Sequence, residues 1–455
     1  MTHLETLARF VAQTPSSEIP PAAIERAKLA LIDLAGVTIA GSLEPVSKIV
    51  AQRVARTSRG DSTLIVGGTR VSAADAALAN ATAGHALDFD DSSFVLGGHP
   101  TVTILPALLA VGEAYGASGQ AILEAYVIGF EVTMKFSRAV NFEHYEKGWH
   151  PTATMGVFGT AAAVARLPRL PAEQIAHALA LAASMASGIK ANFGSMTKLF
   201  QVGQASQRGV LCAELAADGL TANPAALDGR QGFLDVYNGA GKYRAEELSK
   251  FGGTLEILAS GLMFKKYPCC GATHAPIDAA LDMVRAHAPR REDVESVTIA
   301  MNPRRITHVN RPKVGTGLEG KFSVQYTIAA ALADGAISLR HFNETEVARA
   351  DLQDLTARVR AVATEGGAEG ALSQACALSV TLKNGTTHTV QREDAEGRAV
   401  DEYPRYMKQK FVDCVEQAFL REYANSLFLN INLFERCESI TDVMKRLVCV
   451  ETAQP

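Results

Sequence analysis

The sequence is poor in aromatic residues, which make up 6% of its 455 positions and include a single tryptophan, Trp149. It also lacks an excess of positive charge: 44 Lys and Arg against 48 Asp and Glu give a formal net charge of −4. The basic residues are scattered rather than gathered in a stripe, so no electrostatic footprint for nucleic acid or another polyanion is present. Long apolar runs are missing too. Ile175 to Ile189 falls short of the ~20 residues needed to span a bilayer, and Ile104 to Phe130 is interrupted by Glu113 and Glu124, so both read as buried helices and no membrane partner is expected. The opening Met1-Thr2-His3-Leu4-Glu5 shows no basic region leading into an apolar run, so no secretory signal is expected. Seven cysteines, at 212, 269, 270, 376, 414, 437 and 449, include no CxxC pair. An odd number without that spacing fits reduced thiols rather than a disulfide framework or a zinc site. The expected location is cytoplasmic.

What is present is a large supply of core residues. Hydrophobic residues make up 47% and charged residues 20% of the chain, the balance of a globular protein, and the length suits two or three domains. Up to about Ser260, apolar segments with helical spacing are separated by short breaks rich in Gly, Pro, Asn or Ser; examples are Pro21 to Ile39, Ala73 to Leu87, Ala121 to Phe136 and Ala172 to Ser187. From about Leu262 to Val400 the texture changes. Val297 to Met301 reads as a strand, and Ala377 to Leu382 and Thr386 to Gln391 flank Asn384-Gly385 as a β-hairpin. Helical patterns at Ala275 to Ala288, Ser323 to Leu332 and Glu344 to Val359 fall among them, and the helical period returns at Met407 to Ala424. The expected fold class is mostly α: a large all-helical domain, residues 1–262 plus 401–455, with an inserted smaller α+β domain, 263–400.

Four constellations are candidates for chemistry. The first runs from His85 through Asp88-Phe89-Asp90-Asp91-Ser92 to Gly97-Gly98-His99-Pro100. Three aspartates and two histidines within 15 residues are costly to place together unless they are solvated, paired or functional. On a helix His85 and Asp88 share a face, and the Gly-Gly-His-Pro break puts His99 at the entry to the next helix. Helix capping in a solvated turn explains the same residues without chemistry, and a metal site matches no familiar ligand spacing. The second is His144-Tyr145-Glu146-Lys147-Gly148-Trp149-His150-Pro151-Thr152, where His150 stands before a helix of small residues. Free backbone N–H groups beside an imidazole suit a carboxylate, although an ordinary helix start with a partly exposed histidine looks the same. The third places Lys198 after Asn192-Phe193-Gly194-Ser195 and before Val202-Gly203-Gln204-Ala205, where it can pair with a substrate carboxylate or sit in solvent as most lysines do. The fourth, Phe264-Lys265-Lys266-Tyr267-Pro268-Cys269-Cys270 to Thr273-His274-Ala275-Pro276, lies at the expected domain boundary, and Thr273 or His274 can cap the helix that follows.

These segments, with Gly320-Lys321-Phe322-Ser323 and Tyr326, occur in the order seen in the MmgE/PrpD family, which the sequence closely resembles over nearly its whole length. That family includes 2-methylcitrate dehydratase, cis-aconitate decarboxylase and iminodisuccinate epimerase. The resemblance implies a helical domain with an α+β lid, a homodimer, and an active site between domains that uses no cofactor; that no metal is expected rests on the ligand spacing. It carries site roles onto Asp88, His99, His150, Lys198 and Lys265, with Ser92 where the decarboxylase has threonine. Cys270 stands where the decarboxylase has histidine, Gln201 replaces a histidine common after the family's lysine, and the longer loop of 2-methylcitrate dehydratase near His99 is absent. Removing a proton next to a carboxylate needs a positioned base and a cation for the charge that develops. Lys198 and Lys265 are the candidate cations, and His99, His150, Tyr145 and Asp88 the candidate proton carriers. Ser92, Cys270 and His274 complete the candidate substrate-binding set. The departures from the lyases favour an epimerase of an iminodisuccinate-like diacid, with a dehydratase or decarboxylase of a small di- or tricarboxylic acid as the alternative.

Overall fold

The computed structural model describes residues 1–364, 373–393 and 403–449. Its fold is mostly α with a small α+β part. The chain divides into two compact units, 1–264 with 404–455, and 265–403.

In the first unit the helices Pro21–Gly41, Ala73–His85, Thr101–Tyr115, Gly119–Val140, Pro151–Arg166 and Met196–Ala217 are buried over most of their length. Ala-, Gly- and Thr-rich surfaces let them pack closely, and at Gly203 the approach is decisive. A Cβ there would stand 2.2 Å from Thr82 Oγ1 and 2.5 Å from the Leu78 carbonyl, so glycine is what lets Met196–Ala217 lie against Ala73–His85. A two-residue ladder pairs β1 (Ser62–Thr63) with β2 (Arg70–Val71). Among the described residues no single helix is long and apolar enough to cross a membrane. The C-terminal segment is tied in by Lys410, which reaches Asp33 at 2.6 Å and donates to the Phe89 carbonyl at 2.8 Å.

The second unit holds a four-stranded sheet of order β4-β3-β5-β6: β3 is Val294–Met301, β4 Val359–Ala363, β5 Cys376–Leu382 and β6 Thr387–Arg392. β3 runs parallel to β4 and antiparallel to β5, which forms the hairpin with β6 around Asn384-Gly385. Val297, Ile299 and Met301 of β3 and Leu378 and Val380 of β5 face a core completed by the helices His274–His287 and Val324–Asp334. The alternation of β3 is that of a strand with one buried face.

Two expected helices break. Glu344 to Val359 is two short helices, Glu344–Val347 and Ala350–Ala357, followed by β4; the non-helical backbone of Arg349, φ −57° and ψ 122°, separates them. Met407 to Ala424 divides into Tyr403–Val415 and Arg421–Ile431, parted at Leu420, whose backbone is extended. No glycine or proline marks either break. All seven cysteines are free thiols.

Candidate active site

The helix Ala73–His85 ends two residues before the expected end at Leu87, so His85 and Asp88 do not share a helical face. Asp88 instead takes a left-handed conformation, φ 52°, unusual for a residue with a side chain. That turn aims its carboxylate back toward His85. The Asp88 carboxylate accepts from the Lys198 ammonium, and its Oδ1 lies 3.6 Å from His99 Nε2 and 4.0 Å from His85 Nε2. His85 is itself bridged. Its Nδ1 is 2.9 Å from Asp90 Oδ1 and its Nε2 is 3.0 Å from Lys198 Nζ.

His99 Nδ1 lies 2.7 Å from the Asp91 carbonyl oxygen, to which it donates, and 3.4 Å from Asp90 Oδ2. The His85 and His99 rings meet edge-on, with centroids 4.6 Å apart. The backbone N–H of His99 donates to Thr152 Oγ1, and a Cβ on the preceding Gly98 would lie 2.4 Å from that oxygen, so glycine is needed for this approach. The Asp91 side chain has a different setting. It is fully buried and accepts from the Thr101 hydroxyl, which meets Tyr126 Oη at 2.6 Å; burial first, and then the charge of Asp33, push its carboxyl well above the usual carboxylate range.

His150 precedes the helix Pro151–Arg166, and it is buried rather than partly exposed. Gln201 Nε2 donates to the Ile189 carbonyl at 3.2 Å, which fixes the amide so that Oε1, 2.9 Å from His150 Nδ1, accepts a proton from it. Burial, followed by the nearby charges of Lys198 and His85, holds the imidazole well below its ordinary pKa, so it is neutral at neutral pH. Gln201, a departure in the sequence, is thus the residue that sets the His150 tautomer. Phe193 packs edge-on against His150 at 4.9 Å and lies under Lys198 Nζ at 5.4 Å.

The structure therefore brings Asp88, His99 and Lys198 together, with His150 alongside; the His85 and His150 centroids are 6.4 Å apart. Lys198 is 3% exposed, not the solvated lysine its neighbours allowed. Ser92 pairs through its backbone with Met263 at 2.8 Å, and its hydroxyl is buried without a hydrogen-bond partner among the described residues. Tyr145 packs its ring under Lys190 Nζ at 3.4 Å, and its carbonyl accepts from the same ammonium at 2.8 Å. Lys265, Cys270 and His274 belong to the second unit. There Lys265 is buried, the Cys270 N–H donates to the Lys321 carbonyl at 2.9 Å, and the His274 ring packs against Tyr267 at 5.2 Å.

Two residues of this cluster were not among the site residues expected from the sequence: His85 and Asp90. Both lie in the first motif, and their spacing carried the signal, but only the turn at Asp88 shows that His85 faces inward. Ligand atoms of His85, Asp88, Asp90 and His99 all lie within 4.8 Å of one another, a set chemically able to hold a metal ion. Lys198 already supplies a cation to two members of that set, so a metal would have to displace the ammonium.

The MmgE/PrpD N-terminal domain matches residues 5–246 and the MmgE/PrpD C-terminal domain residues 267–428. A cis-aconitate decarboxylase of Mus musculus is 29% identical over 464 residues, covering 98% of this chain and 93% of that protein. One of Homo sapiens is 30% identical over 379 residues, covering 80% of this chain and 78% of that protein. One of Aspergillus terreus is 26% identical over 380 residues, with 78% and 76% covered. The chain belongs to the MmgE/PrpD family.

Proposed function

We propose that this protein is an enzyme, a lyase that removes carbon dioxide from an unsaturated tricarboxylic acid of the cis-aconitate type without a metal or organic cofactor. The observation that carries the reading is the meeting of Lys198, His99 and His150 around Asp88, each at the start of a different helix, where backbone N–H groups add positive potential for a polycarboxylate. The names of the relatives favour this lyase over the epimerase expected from the departures in sequence. Gln201, one of those departures, is accounted for by its bond to His150.

Decarboxylation breaks one carbon–carbon bond; the substrate loses carbon dioxide, and the electron pair left behind is captured by a proton delivered to carbon. While that pair builds up, an adjoining carboxylate gains charge, and a cation fixed beside it lowers the barrier. Lys198 is assigned to that carboxylate. His99 is assigned to proton delivery, because Asp88 and Asp90, 3.6 and 3.4 Å from its two nitrogens, steady an imidazolium. His150, kept neutral, turns Nε2 to the substrate as an acceptor, and the Ser92 hydroxyl offers a donor. Lys265 keeps the role the family likeness implies, Tyr145 stays a candidate proton carrier and Cys270 and His274 candidate substrate-binding residues, each open to single substitution.

The test is proton NMR of the chelator-treated protein with cis-aconitate in deuterated water. Loss of one carboxyl group with deuterium appearing in the product is expected. Exchange or inversion of a diacid with no loss of carbon returns the epimerase; loss of water makes the enzyme a dehydratase. Turnover that appears only when a divalent metal is added overturns the metal-free assignment.

A further inference from the structure

We infer that His85 and Asp90 form a positioning pair for Lys198, with Asp90 fixing the proton of His85 so that its other nitrogen receives the ammonium. The geometry is specific. Both side chains have no solvent exposure, and both Asp90 oxygens stand within 3.0 Å of His85 Nδ1. An ionised carboxylate only accepts, so Nδ1 carries the proton, and the neutral ring has its lone pair on Nε2. That lone pair lies 3.0 Å from Lys198 Nζ, while the Asp88 carboxylate takes a second ammonium proton. Two of the three N–H directions of Lys198 are thereby set by groups that do not themselves need to touch substrate. His85 is carried by the helix that Gly203 allows close to the lysine's own helix, so the pair converts helix packing into the placement of one charge. The same logic governs histidines that ligate metals, where a carboxylate behind the ring selects the tautomer; here the cation is an ammonium.

The inference rests on the assignment of Lys198 to a substrate carboxylate, and its test separates the two. The full-length protein is labelled with nitrogen-15 at histidine, and the His85 signals are assigned by their loss in His85→Gln. Nδ1–H with a bare Nε2 is expected in the wild type. Asp90→Leu should shift the ring toward the other tautomer and lower kcat/KM at least about tenfold, and His85→Leu should match it. His85→Gln, whose amide oxygen can still accept from the ammonium, should stay within about threefold of wild type. Where Asp90→Leu does not fold, Asp90→Asn serves: its amide oxygen still accepts from Nδ1–H, so the tautomer should persist even though the lost charge beside His99 lowers turnover, and a ring that changes tautomer in Asp90→Asn overturns the pair. A wild-type His85 protonated at Nε2, or an Asp90→Leu protein whose tautomer changes with no loss of rate, overturns the pair. If no carbon dioxide is released from cis-aconitate, the functional reading fails instead, and the tautomer in wild type and Asp90→Leu, with citrate binding as the second readout, still decides the inference.

Discussion

Two charge networks in this molecule each gather carboxylates around one basic side chain and are placed in opposite settings. In the helical unit, Lys198, Asp88, His85 and Asp90 are buried against one another. In the α+β unit, Arg349 reaches Asp334 at 2.6 Å, Glu346 at 2.8 Å and Asp351 at 2.8 Å, in positions where its own side chain keeps 26% of its exposure. Water still screens the second network, and the Arg349 contacts hold the Asp334 and Asp351 carboxyls below their ordinary range. Burying the first costs several kcal/mol per ion before attraction repays it, and apolar side chains of similar volume would often serve stability as well. A cluster kept despite that cost is better explained by chemistry than by folding, whereas the exposed network asks for no such explanation.

The sharpest way to break this contrast is Lys198→Ala. Turnover should fall by roughly 100- to 1000-fold, the range for losing one preorganised group that stabilises developing charge. Stability should also fall, by about 3 kcal/mol, since Asp88 is left as a buried charge without its ammonium. The double variant Lys198→Met with Asp88→Asn removes both charges and should recover most of the stability but none of the activity. Steady-state kinetics beside urea denaturation check this. Recovery of activity in the double variant would mean that the cluster is structural.

A buried histidine outside the cluster sharpens the comparison at a smaller scale. Among the described residues His144 has no charged hydrogen-bond partner: its Nδ1 is 2.9 Å from Asn238 Oδ1 and its Nε2 is 2.8 Å from Thr154 Oγ1. Burial, with a lesser contribution from Lys147, lowers its pKa to about 4. The unfolded chain takes up this proton near the ordinary value of 6.5, and the folded chain does so only near 4. Between those values the unfolded state binds more protons, so stability falls as pH falls across the window, by roughly 3 kcal/mol in all. His144→Gln should flatten that part of the curve, which urea midpoints from pH 7.5 to 4 would show. A slope unchanged by the substitution would assign the acid sensitivity to His150 or to the carboxylates.

How much of this was legible in the sequence depends on whether the signal was local. The helices Pro151–Arg166 and Ala172–Met185 follow from periodicity and from proline at or just before their starts, and the β5–β6 hairpin follows from Asn384-Gly385 between two alternating runs. β4 was missed, with only its first residue, Val359, falling in the expected helix Glu344 to Val359, because its five residues gain their strand character from parallel pairing with β3, a partner about sixty positions earlier that no local pattern reveals. The break at Leu420 was hidden because Ala418, Phe419 and Leu420 keep the apolar spacing running through it. At the site, the motifs located Asp88, His99, His150 and Lys198, but their meeting depends on the left-handed turn at Asp88 and the close approach at Gly203. Both are tertiary facts. His85 and Asp90 were visible as residues and not as a pair, since their pairing exists only once the chain has turned between them.

The smallest effect expected is that of Arg349→Ala, which tests the exposed side of the comparison. Arg349 closes three ion pairs, yet pairs of this kind contribute ~0.2–1 kcal/mol each when solvent reaches them, and the loss of one arginine is partly relieved because Asp334 keeps His341 at 3.1 Å. The substitution should lower stability by about 1 kcal/mol and leave kcat/KM unchanged. The pH dependence has a definite sign. Because Arg349 holds Asp334 and Asp351 below their ordinary range, its contribution is present above the ordinary carboxylate pKa and disappears as pH falls through the lowered values. Wild type and variant should therefore differ most near neutrality and converge in acid, and added salt should narrow the gap as well. A loss above about 3 kcal/mol, or one insensitive to both salt and acid, would place this network with the buried cluster and remove the distinction between the two.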